Sequence, residues 1–168
     1  MAELKPKIMV VDDVPEIGEM LTRFLTKKNY EVTSFTSAKE ALEHLKTNEV
    51  NPVRKSTDNG DNNISDSNRN TAKLSNGVNL LLTDMLISIS EMTGIELIKA
   101  TKEFNPNLPI LVMTSYPGSE LMQKIIAMGI SDYIAKPFQL DSLEKIIASR
   151  LQSRLNDEVG QVPTPNHI

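Results

Sequence analysis

The chain contains no cysteine, which excludes disulfides and thiolate zinc sites and permits a reducing compartment. Histidine is nearly absent too, at two of 168 residues, so no His-Cys cluster supports a transition-metal site. Aromatic residues make up 4% and no basic run is present, so the basic-aromatic interleaving of nucleic-acid binders is missing. The net charge of −4 offers no global attraction to nucleic acid or to an anionic membrane. No apolar run approaches a membrane span. The N-terminus, MAELKPKIMVVDD, reaches a charged pair without the apolar core of a signal peptide. A cytoplasmic protein with no nucleic-acid or membrane partner is the expectation. No Gly-rich loop follows the first apolar run, which disfavours a nucleotide-binding fold, and no internal repeats occur.

What is present is ordinary for a globular chain: 39% hydrophobic and 24% charged residues, at a length that supports one domain with a sizeable core. Its distinctive feature is where the polar residues fall. Asp12 and Asp13 follow Ile8-Met9-Val10-Val11, and Asp84 follows Leu80-Leu81-Leu82-Thr83. Thr114 follows Ile110-Leu111-Val112-Met113, and Lys136 follows Tyr133-Ile134-Ala135. Short continuous apolar runs read as strands buried on both faces of a parallel sheet. The carboxyl ends of such strands line one crevice, where ligands bind.

Helical patterns alternate with these runs. Pro15 stands at a first helical position, and Ile17, Met20, Leu21, Phe24 and Leu25 then share a face, with Asn29 near the stop. Glu31 to Phe35 alternates like a strand. Ser37 caps a helix with Ala38, Ala41, Leu42 and Leu45 on one side. Ile95, Leu97, Ile98 and Thr101 mark another, ending before Asn105-Pro106. Ser119 opens a fourth, with Leu121, Met122, Ile125 and Ile126 expected to be buried and Gly129 as its stop. Asp141 or Ser142 precedes a last helix carrying Leu143, Ile146, Ile147 and Leu151. Five strand–helix repeats imply an α/β fold with a parallel sheet and helices on both faces. Residues 1–155 read as one domain. Within it, Asn51 to Gly77 holds seven Asn, four Ser and no apolar periodicity, and reads as a mobile polar insertion. Residues 156–168 read as a C-terminal tail.

An isolated aspartate before a proline is ordinarily a helix cap. Two adjacent carboxylates at a strand end repel one another, and a buried pair needs a cation or a raised pKa. With Asp84 at a second strand end, three acids converge. Magnesium suits them, since it prefers hard oxygen ligands with waters and phosphate completing its shell. A lone lysine at a strand end is usually a solvated end, but Lys136 would face three acids and can pair with a phosphoryl oxygen. Thr114 reads as a β-branched strand residue or as a hydroxyl that bonds such an oxygen.

Taken in order, VVDD, LLLTD, LVMTS and DYIAKPF resemble the receiver domain of bacterial two-component response regulators, from about Lys7 to Leu151. The resemblance implies a flavodoxin-like, doubly wound, five-stranded parallel sheet of order 2-1-3-4-5. It implies that Asp84 accepts a phosphoryl group from a histidine kinase or histidine phosphotransfer protein. Asp12, Asp13, Asp84 and the Leu86 carbonyl would hold Mg2+, and Lys136 and Thr114 would contact the acyl phosphate. It places Tyr133 at the aromatic switch position, coupled to Thr114, and makes the Lys136–Pro137 peptide cis. It assigns Leu86 and Tyr116 to the positions that set the lifetime of the phosphoryl group. The Ser119 helix, the Tyr133 strand and the Leu140 helix become the surface for an unknown downstream protein or a second copy.

The chain departs from that family in three places. Asp13 and Asp84 lie 71 positions apart, about twenty-five more than usual, so the excess must leave the domain as a loop. The segment after Asp84, MLISISEMTG, reaches its glycine late. No effector domain accompanies the pattern. A stand-alone receiver is therefore expected, not an enzyme beyond its own phosphorylation and slow dephosphorylation. The rivals are a phosphorelay intermediate, a degenerate receiver that binds partners unphosphorylated, and a magnesium phosphohydrolase. The last usually places its two aspartates one residue apart after the first strand, whereas here they are adjacent.

Overall fold

The computed structural model describes residues 5–49, 77–87, 91–130 and 132–159. Among these residues, five strands, β1 (Lys7–Val11), β2 (Glu31–Phe35), β3 (Leu80–Asp84), β4 (Ile110–Thr114) and β5 (Tyr133–Ala135), alternate with five helices. These are α1 (Pro15–Lys27), α2 (Ala38–Glu49), α3 (Gly94–Phe104), α4 (Glu120–Ala127) and α5 (Leu140–Val159). All strand pairs are parallel, in the order β2-β1-β3-β4-β5. This is the doubly wound flavodoxin-like arrangement.

Strand alternation explains why the apolar runs are continuous. Met9, Val11, Leu81 and Val112 pack on one face against Ala41, Leu45, Leu97, Ile98, Met122 and Ile125 of α2, α3 and α4. Their neighbours Ile8, Val10, Leu80, Leu82, Leu111 and Met113 pack on the other against Leu21 and Leu25 of α1 and Leu143 and Ile147 of α5. Both faces are dry, so both side-chain sets must be apolar. β2, at the sheet edge, has no fully buried residue.

The helix ends follow local chemistry. Pro15 opens α1, but the cap position is Val14 rather than an aspartate; the Asp12 carboxylate instead accepts the Val14 N–H at 3.0 Å. Ser37 and Ser119 accept the N–H groups of Glu40 and Met122. Asn29 (φ 69°) and Gly129 (φ 81°) follow α1 and α4 in the left-handed region. α3 opens on a reciprocal pair in which Thr93 caps Glu96 and the Glu96 carboxylate returns to the Thr93 N–H. α5 begins at Leu140, ahead of the expected Asp141 or Ser142, and continues to Val159 into the stretch read as tail. Residues 51–76 of the expected insertion, and those beyond Val159, lie outside the described residues.

Two α4 residues expected to be buried are not fully so, and Leu121 is one of them, packed against the core while partly exposed. Ile126 is 48% exposed, as its neighbour in sequence, Ile125, faces the sheet. Successive helical residues point about 100° apart, and α4 covers only one margin of the sheet. Met20 of α1, beside buried Leu21, is exposed for the same reason.

Tyr30, leading into β2, donates its hydroxyl to the Glu144 carboxylate of α5 at 3.0 Å. Burial first, and the Glu144 bond and charge second, push its phenol from 10.0 up to about 12. The folded state therefore holds this proton more tightly than the unfolded chain. The resulting stabilisation is complete below pH 10.0 and is lost as pH rises toward about 12. Urea unfolding across that range should show a shallower decline for Tyr30→Phe than for the native chain.

Candidate functional site

The connections from β1 and β3 leave toward opposite faces, because α1 lies with α5 and α3 with α2 and α4. A crevice therefore opens between the carboxyl ends of β1 and β3, the usual ligand position in such sheets. Asp12 and Asp13 leave β1 there, and Asp84 ends β3. One carboxylate oxygen from each lies within 4.8 Å of the others.

Lys136, just after β5, reaches this cluster across the end of β4. Its backbone N–H donates to the Thr114 carbonyl at 2.7 Å, which continues the β4–β5 pairing and sets where the side chain starts. Its ammonium donates to Asp12 Oδ2 at 2.7 Å and to Asp84 Oδ2 at 2.9 Å. The Lys136–Pro137 peptide is cis. The other oxygen of Asp84 accepts the Leu86 N–H at 3.2 Å. Three carboxylates against one ammonium leave a formal excess of two negative charges, the amount one divalent cation neutralises.

Burial sets the electrostatics. Asp12 is buried, and desolvation holds its carboxyl above the usual range although Lys136 and the Val14 N–H oppose this; the Asp84 charge adds to the rise. Burial pushes the Lys136 ammonium down, but its bonds to Asp12 and Asp84 outweigh that and hold it above its ordinary value. The lysine thus stays charged beside Asp12, whose ionised form burial disfavours.

Thr114 is fully buried; its hydroxyl accepts the Tyr116 N–H at 3.0 Å. Tyr116 is 60% and Tyr133 41% exposed. Leu86 is 42% exposed beside Asp84. The structure brings Asp12, Asp13, Asp84 and Lys136 together, with Leu86 and Thr114 at the margin.

A family model described as the response regulator receiver domain matches residues 56–148, more than half of the 168. This chain belongs to the response regulator receiver domain family. The match includes Asp84, Thr114 and Lys136, whereas Asp12 and Asp13 precede it. The chain is similar to the transcriptional regulatory protein ZraR of Klebsiella oxytoca, at 35% identity over 51% of this chain and 19% of that protein. It is also similar to the two-component response regulator ARR9 of Arabidopsis thaliana, at 28% identity over 99% of this chain and 69% of that protein. It spans only 30% of another relative, the response regulator protein PilR of Pseudomonas aeruginosa. Its fold resembles a CheY-like receiver domain protein of Methanospirillum hungatei, with a TM-score of 0.69, 22% identity, and coverage of 91% of this chain and 98% of that one.

In this receiver the long segment after Asp84 is anchored at several points. Met85 and Ile87 are buried, and Met92 packs against the same core. Glu91 forms an exposed ion pair with Lys39 of α2. The segment closes at Gly94, whose Cα faces the backbone at the end of β3. A Cβ there would lie 2.1 Å from the Asp84 carbonyl oxygen and 2.7 Å from that of Met85. The sequence reading noted that this glycine comes late but not that it touches Asp84, since only the folded path brings residues ten apart into contact. The Thr93–Glu96 pair also went unread, although Ser/Thr-x-x-Glu is a helix-start signature.

Because the obstacle is backbone, Gly94→Ala must displace either α3 or the end of β3. It should destabilise the receiver by about 1–3 kcal/mol or more in urea unfolding. Gly118→Ala, where a Cβ meets nothing within 4 Å, should leave the midpoint nearly unchanged.

Proposed function

We propose that Asp84 accepts a phosphoryl group from a phosphohistidine, carried by a histidine kinase or a histidine phosphotransfer protein in the cytoplasm, and that the modification switches protein contacts. The supporting observation is the Lys136 ammonium paired at once with Asp12 and Asp84, beside Asp13. A carboxylate oxygen of Asp84 attacks phosphorus in line, and the phosphorus–nitrogen bond breaks. The electron pair leaves on the imidazole nitrogen. Lys136 can follow the transferred oxygens while keeping its bond to Asp12. Asp12, Asp13, Asp84 and the Leu86 carbonyl would hold Mg2+, which when bound cancels charge on the phosphoryl oxygens. Thr114 supplies a hydroxyl to one of those oxygens, and Tyr133, now exposed, follows Thr114 inward. The surface of α4, β5 and α5 then changes; exposed Ile126 and Tyr133 lie on it and suit a downstream protein or a second copy.

Incubation with acetyl phosphate and magnesium, followed by intact mass, should show one phosphoryl adduct that is absent from Asp84→Asn. Millimolar magnesium alone should raise the thermal midpoint by mass action, and Asp13→Ala should abolish the rise. Magnesium needs ionised carboxylates, and burial raises the Asp12 pKa, so magnesium affinity should fall as pH is lowered toward the carboxylate range. An adduct that survives in Asp84→Asn, or a midpoint indifferent to magnesium, would contradict this reading.

Hydrolysis of the acyl phosphate needs a water in line with the bond and a polar neighbour to orient it. Leu86 cannot hydrogen-bond a water, and the Tyr116 ring is free to cover the phosphoryl group. Self-dephosphorylation should therefore be slow. Leu86→Asn combined with Tyr116→Glu should accelerate it, as followed by loss of the adduct with time; a half-life of seconds in the native chain speaks against the assignment.

A further inference from the structure

The Thr114 hydroxyl has one proton to donate. The thioether sulfur of Met85 lies within donating reach of its oxygen, at 3.8 Å, in a fully buried contact. Both residues are sealed from solvent, Thr114 at 0% and Met85 at 1% exposure. The oxygen already accepts the Tyr116 N–H, so the sulfur is the partner of its proton. A thioether is a weak acceptor, whereas a phosphoryl oxygen is anionic and makes a charge-assisted bond about twice as strong as a neutral one. Met85 is also firmly placed: it follows Asp84 directly, and its N–H donates to the Met113 carbonyl at 3.0 Å.

We infer that Met85 is a positioning residue that holds the Thr114 hydroxyl in the resting receiver, and that its weak acceptor sulfur sets how readily that hydroxyl is released to a phosphoryl group on Asp84. This rests on the reading of Asp84 as the acceptor. A stronger buried acceptor at residue 85 would trap the hydroxyl. No acceptor at all would leave a buried donor unsatisfied and so penalise the resting arrangement. Methionine lies between the two. The contact also couples residues at the ends of adjacent strands β3 and β4, so release of the hydroxyl frees a side-chain link that the backbone pairing does not supply.

Met85→Leu conserves volume closely and is tolerated in most cores, yet removes the acceptor. The test is the affinity of the magnesium-loaded protein for beryllofluoride, a stable phosphoryl mimic. Met85→Leu should bind it about two- to five-fold more tightly, the range expected from losing one weak hydrogen bond in the resting state only. In a Thr114→Val background the same substitution should have no effect, since the coupling runs through the hydroxyl. In the otherwise native chain, the Met85 methyl carbon resonance should shift on beryllofluoride binding, and the shift should shrink in Thr114→Val; this readout does not depend on how Met85→Leu folds. Equal affinities for the native chain and Met85→Leu, an effect that persists without the hydroxyl, or an unmoved Met85 resonance would each overturn the inference. Failure of the native chain to bind beryllofluoride with magnesium would overturn the Asp84 acceptor reading, and this inference with it.

Discussion

Burying the Asp12 carboxylate at the end of β1 carries a desolvation penalty, and the only described cation bonded to it comes from the far side of the sheet. Lys136 starts after β5, passes the end of β4, and meets Asp84 on β3 and Asp12 on β1. The contact is satisfied only when four strands stand in the correct order and register. Removing one partner of such a buried pair is more damaging than the pair's net value, because a charge is left without compensation. The same geometry keeps the crevice from closing over apolar side chains. Fold and site are thus linked through one ammonium group.

That link also makes the site responsive to what enters it. With Lys136 divided between two carboxylates and Asp13 close by, the cluster keeps an excess of negative charge that neither backbone nor solvent removes cheaply. In the proposed reading a cation would relieve it, and a phosphoryl group on Asp84 would meet the charge of Lys136. Around the cluster the hydrogen bonds are of unequal strength: charge-assisted on Lys136, ordinary at the Leu86 N–H, and weakest at the Met85 sulfur.

The architecture and most of the site were legible in the sequence because both rest on period and punctuation. Runs such as IMVV and ILVM are apolar without alternation only where both faces are covered, and the residue that ends each run is held at the same edge as the others. That reasoning expected Asp12, Asp13, Asp84 and Lys136 at one crevice, and the folded chain brings these four side chains together. It did not distinguish Asp12 from Asp13, yet only Asp12 is fully buried, since that depends on which face the chain turns to on leaving β1. It overestimated the burial of Ile126, because a helix two apolar residues wide need not have a sheet beneath both. Gly94 against the Asp84 carbonyl and Met85 beneath Thr114 were beyond its reach, as each is a through-space contact between residues whose types alone give no signal.

The parallel sheet also separates two kinds of change that evolution or an engineer can make. Every group discussed for chemistry sits at the carboxyl ends of the strands, while α2 departs from the described structure at Glu49 and the chain returns at Gly77, just before the amino end of β3. Four rises of about 3.3 Å along β3 put roughly 13 Å between Leu80 and Asp84. The long connection is thus attached at the pole opposite the crevice that holds Asp12, Asp13, Asp84 and Lys136. Its attachment points offer a place to graft a reporter, a tether or a recognition tag whose anchors are remote from that crevice.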